Sequence, residues 1–203
     1  MLTGALPPPA YLIEDLKRRY SEPHRAYHTW AHIEALLGHA QNNARLIHRP
    51  TPFLWALLWH DAIYDPHRSD NEEQSAELLH ENARGLLSES DLLLAESLIR
   101  ATAKHEIPSN LISDDRADCG LFLDLDLSIL ASSQASFDRY EDGIRREYSH
   151  VPLALFTATR AAILRRFLDR ASLYFTPALA SPWEEPARAN LARSIAKLTP
   201  QGS

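Results

Sequence analysis

The sequence predicts an all-α protein, and three observations carry that expectation. Apolar residues recur at spacings of three and four along most of the chain. Residues branched at Cβ never alternate with polar ones over the length of a strand. Only 6 glycines interrupt the 203 residues. We expect a helical bundle of eight or nine helices in a single domain, residues 1–203, because a chain of this length builds one sizeable core and falls short of two comfortable ones.

The elements follow in order. A first helix is expected after Pro7-Pro8-Pro9, running to about Tyr20, with Ser21-Glu22-Pro23-His24 as its break. Trp30, Ile33, Leu37, Ala40 and Ala44 form the apolar face of a second. Arg49-Pro50 ends it, and Thr51-Pro52 opens a third with a cap residue followed by proline. The third should stop at Asp65, because Pro66 disfavours helix in the residue before it. A polar loop covers Pro66 to Asn71. Ala76, Leu79, Ala83 and Leu86 mark the fourth helix, and Ser88-Glu89-Ser90-Asp91 starts a fifth that runs to about His105. Ile107 to Gly120 reads as a loop, and Phe122 to Leu130 as an apolar stretch holding two aspartates. Helices are expected from Ser133 to about Tyr148, from Pro152 through Phe156, Ile163, Leu164, Phe167 and Ala171, and from Pro186 to Lys197. Phe175 to Pro186, with its prolines, reads as an extended connection.

Composition narrows the function. A net charge of −6 without a basic run argues against nucleic acid as a main partner. No apolar run reaches transmembrane length, and Met1 to Pro9 has no basic region followed by an apolar core, so neither membrane insertion nor a signal peptide is expected. One cysteine, Cys119, excludes an intramolecular disulfide and suits a reducing cytoplasm; it reads as an inert thiol rather than a nucleophile. The 10 histidines are the oddity, and they crowd the first half of the chain.

Chemistry concentrates in Trp55-Ala56-Leu57-Leu58-Trp59-His60-Asp61-Ala62-Ile63-Tyr64-Asp65. An apolar run has no use for an imidazole beside a carboxylate unless something satisfies both, since burying them without partners is costly. His28 and His32 stand four apart and share a helix face, with His32 bordering the apolar stripe. Asp124 and Asp126 sit in another apolar run, where a carboxylate needs a cation or several hydrogen bonds. His32, His60, Asp61 and one of these two aspartates make a mixed nitrogen and oxygen donor set. It suits one divalent ion of Mn, Fe, Co, Ni or Zn, with Mg also open. Such an ion lowers the pKa of water and polarises a phosphoryl group.

Four ordered blocks carry a resemblance. Arg25-Ala26-Tyr27-His28-Thr29-Trp30-Ala31-His32-Ile33 is followed by Trp59-His60-Asp61-Ala62-Ile63-Tyr64-Asp65. Asp70-Asn71-Glu72-Glu73-Gln74-Ser75-Ala76 and Leu123-Asp124-Leu125-Asp126-Leu127-Ser128-Ile129-Leu130 complete the order. Together they resemble the H…HD…D pattern of the HD superfamily of metal-dependent phosphohydrolases, within its bacterial subgroup of predicted HD-domain phosphohydrolases, over about residues 22 to 130. The resemblance implies a metal on His32, His60, Asp61 and Asp126, the last because it directly precedes Leu-Ser-Ile-Leu, with Asp124 as the alternative. It implies that Arg25 and His28 hold a phosphate, that His105 lines the pocket, and that Asp65 or Glu72 assists the attacking water. Glu72 has a plainer reading as the partner of Ser69 in a capping box, and Asp65 as a helix end.

The expected activity is hydrolysis of a small, nucleotide-like phosphorylated metabolite by a cytoplasmic enzyme. A guanosine alarmone pyrophosphohydrolase is the alternative, weakened because Tyr64 stands where those enzymes carry glutamate. A non-catalytic, metal-containing nucleotide sensor is the other. The expected partner is a small phosphorylated substrate, with no nucleic acid and no membrane. A homodimer stays open, since the Phe175 to Pro186 stretch and the last helix could pack on their own domain or on a second subunit.

Overall fold

Proline lacks the N–H that a helix interior needs but loses nothing just before a helix starts. Accordingly α1 (Ala10–Arg19) begins directly after the three prolines. The computed structural model describes residues 2–199. Among the described residues are nine α-helices, two short 3-10 segments and no strand, so the all-α class and the helix count agree with the sequence. No helix among them is long and apolar enough to cross a membrane. The chain divides into two compact units, Met1–Leu125 and Asp126–Ser203, where the sequence had shown no boundary.

The first unit is organised around α3 (Pro50–Trp59), in which every residue from Pro52 to Trp59 is buried. A helix apolar on all sides must be enclosed by others, and α3 packs against α2 (Trp30–Asn42), α4 (Asn71–Ala83) and α5 (Glu89–Thr102). Trp55 and Trp59 stack one turn apart, with ring centroids 5.0 Å apart. Each finds a partner for its indole N–H: the Leu6 carbonyl at 2.9 Å and Asn82 Oδ1 at 3.1 Å. In the second unit α7 (Gln134–Glu147), α8 (Leu153–Leu168) and α9 (Pro177–Leu198) enclose Leu130, Phe137, Leu164, Tyr174 and Leu191. Arg160 is buried there beside Tyr140 and paired with Glu141.

Three boundaries differ from expectation. Helix α3 ends at Trp59 rather than Asp65, and residues 60–65 form a turn. Residues expected to form a loop up to Gly120 are already helical from the start of α6 (Ser113–Asp126). Asp114 and Asp115 occupy its first turn, where carboxylates favour the positive helix end. Asp118 accepts from the backbone N–H groups of His48 and Arg49, so its charge does not mark a solvated loop. Finally, the stretch expected to be extended from Phe175 to Pro186 is mostly helix, since α9 runs through Pro182 and Pro186.

Candidate metal centre

A helix ending at Trp59 leaves carbonyls without helical donors, and buried carbonyls must be satisfied elsewhere. Here side chains from distant segments do it. Tyr20 Oη donates to the Leu58 carbonyl at 3.0 Å. Arg25 donates from Nη1 to the Asp61 carbonyl at 2.8 Å and from Nη2 to that of Ala62 at 3.1 Å. Ser75 Oγ donates to the Ile63 carbonyl at 3.3 Å. His24 Nε2 meets the Tyr64 carbonyl at 2.6 Å, and Asn71 Nδ2 donates to that of Asp65 at 3.0 Å. Five consecutive carbonyls, 61 to 65, are each held by a side chain. The turn is therefore built by its surroundings rather than by its own sequence.

This turn aims His60 and Asp61. The Leu57 carbonyl can only accept, so His60 Nδ1, 3.0 Å from it, carries the proton and donates. In the neutral ring that leaves Nε2 as an acceptor, the form a metal ligand needs. Asp61 Oδ2 lies 3.0 Å from His60 Nε2 and 4.0 Å from His32 Nε2. Neither contact is aligned as a hydrogen bond. The ring centroids of His32 and His60 are 5.4 Å apart. One ligand atom from each of His32, His60 and Asp61 falls within 4.8 Å of the others, with both histidines buried and the carboxylate half-buried. Two imidazole nitrogens and a carboxylate oxygen facing one another suit a shared cation, so the donor set fits a divalent metal.

The other expected residues are placed as follows. Asp124 is fully buried on α6, and Asp126, half-buried, closes that helix and opens the second unit. His28 lies against Tyr64, with ring centroids 4.2 Å apart, and edge-on to Tyr27 and His32. Asp65 closes the turn: its Oδ1 accepts from the His67 N–H at 2.9 Å. Glu72 is half-buried in the first turn of α4; that helix is entered from Asp70, and no side-chain cap bond forms, so the Ser69–Glu72 capping box is not made. His105 follows α5 with a left-handed backbone, φ 50°.

Chain comparisons give no further constraint: no family model, no curated protein and no solved structure matches this chain. The site is read from its own residues.

One expectation is corrected outright. Arg25 is not placed to hold a phosphate. Its side chain has no exposed surface, and its donors go to Glu22 and to three backbone carbonyls. Ser75, His24 and Asn71, which hold the turn, were given no role at the site by the sequence reading. Ser75 alone left a signal, as a small polar residue beside the apolar stripe of Ala76 and Leu79. Cys119 is fully enclosed, and burial pushes its thiol up to about 12, far from a nucleophile's range.

Proposed function

We propose that this chain is a metal-dependent phosphohydrolase acting on a small, nucleotide-like phosphorylated metabolite. The convergence of His32, His60 and Asp61 within 4.8 Å carries the reading. These three would hold one divalent ion. When bound, such an ion supplies the Lewis acidity that activates water and polarises a phosphoryl oxygen.

The chain's own groups supply the rest. The Leu57 carbonyl fixes the tautomer of His60 and presents Nε2 to the site. His28, braced on Tyr64, offers a ring nitrogen to a phosphate oxygen. Glu72 and Ser75 stand three apart on α4 and share a face, and Ser75 touches the turn at Ile63, which supports Glu72 as the carboxylate that takes a proton from the attacking water. Asp65, engaged with His67, is assigned to the turn.

The test is metal-stripped protein reloaded in turn with Mn, Co, Ni, Zn or Mg and presented with nucleotides and phosphoesters. Metal-dependent release of phosphate or pyrophosphate, abolished by His60→Ala, is expected. Hydrolysis that His60→Ala leaves intact overturns the reading. Tight metal binding without turnover moves it to a sensor.

A further inference from the structure

We infer that Arg25 is a positioning residue for the metal ligands: its buried guanidinium sets the distance between His32 and the His60–Asp61 pair. The inference deepens the metal-site reading above and rests on it.

The three proposed ligands come from two places, the start of α2 and the turn after α3. Arg25 joins them. Its Nη1 donates both to the His28 carbonyl at 3.1 Å and to the Asp61 carbonyl at 2.8 Å. The first lies in the segment entering α2, one helical turn before His32; the second belongs to a ligand residue itself. Nη2 extends the grip to the Ala62 carbonyl at 3.1 Å, and Nε donates to Glu22 Oε2 at 3.1 Å. The guanidinium also lies over two rings, with Cζ 5.0 Å from the Tyr20 centroid and 5.5 Å from that of Tyr64. Tyr64 is also the ring on which His28 rests.

A planar fork is what this geometry uses. Three carbonyls on two segments are reached at once by a rigid array of N–H donors, which a lysine ammonium cannot reproduce. The side chain also has no exposed surface, so its charge is not available to solvent or ligand. The backbone of Asp61 is pinned through its carbonyl, and Asp61 Oδ2 lies 3.0 Å from His60 Nε2 and 4.0 Å from His32 Nε2. A shift of the turn relative to α2 would open that spacing first.

The test measures cobalt(II) affinity from the visible absorption of the bound ion, in the wild type, Arg25→Ala, Arg25→Lys and Leu98→Ala. The last removes a fully buried side chain of α5 and serves as a stability control. Expected is an affinity loss of roughly 10- to 100-fold in Arg25→Ala, the range for residues that orient metal ligands. Millimolar guanidinium should restore part of it, and Leu98→Ala, held below its melting point, should bind like the wild type. Arg25→Lys should lose affinity too, and decides the matter where the alanine variant does not fold. Wild-type affinity in a folded Arg25 variant overturns the inference and leaves the metal reading standing. A loss equal to that of Leu98→Ala overturns it as well. Failure of the wild type to bind cobalt overturns the metal reading, and this inference with it.

Discussion

Ser75 Oγ serves both backbone groups of Ile63, accepting from its N–H at 3.0 Å and donating to its carbonyl at 3.3 Å. A serine inside a helix usually bonds back to its own backbone or faces water; this one, fully buried, couples α4 to the turn carrying His60 and Asp61. Ser75→Ala keeps nearly the same volume and leaves the two Ile63 groups without that partner. The expected cost is about 1–3 kcal/mol of stability, the usual penalty for stranding buried polar groups. Urea unfolding of the metal-free protein measures it. A change below about 0.5 kcal/mol, the ordinary range for a surface substitution, would mean the bond does not support the turn.

His105 adopts a left-handed backbone immediately past the end of α5, and the Glu106 N–H returns to the Ala101 carbonyl at 3.4 Å. That is the closing bond of a helix end that ordinarily selects glycine. A side chain at this position carries a backbone cost that glycine avoids. His105→Gly should therefore leave the fold intact and stabilise it by up to about 1 kcal/mol. If His105 lines the pocket, as the resemblance implies, the same variant binds substrate less well, because the imidazole is gone. Denaturant melts and KM are the paired readings. A less stable variant would show that the His105 side chain contributes more to the fold than its backbone costs.

Sequence reasoning reached the all-α class because helical spacing of apolar residues is written locally, as in the stripe through Ile33 and Ala40. It also singled out His32, His60 and Asp61, which the structure brings together, because polar residues inside apolar runs are conspicuous without any fold. The scaffold of the site was not legible. The turn at 60–65 exists because Tyr20, His24, Arg25, Asn71 and Ser75 supply donors from segments up to 40 residues away, and no local pattern announces that. Arg25 looked like a phosphate ligand from its motif position, and only its burial shows otherwise. Local rules also ended α9 too late at its start: Pro182 and Pro186 each carry a cost of about 3 kcal/mol inside a helix, against which the burial of Leu179, Ala187 and Leu191 acts.

His39 links stability to pH. It lies in the last turn of α2, and burial holds its imidazole below the ordinary histidine value. A helix C-terminus favours a cation there, but desolvation dominates. The unfolded chain therefore binds a proton more readily than the folded one, and stability rises with pH across the interval between the two values. The contribution is complete above about pH 6.5, the unfolded value, and is lost progressively as the pH falls through and below it. His39→Gln removes this titration while keeping a good helix former. Melting temperatures of wild type and variant, measured metal-free from pH 7.5 down to 5, should diverge, with the variant gaining on the wild type towards acid. Parallel curves would show that the surroundings of His39 accept the charged ring without cost.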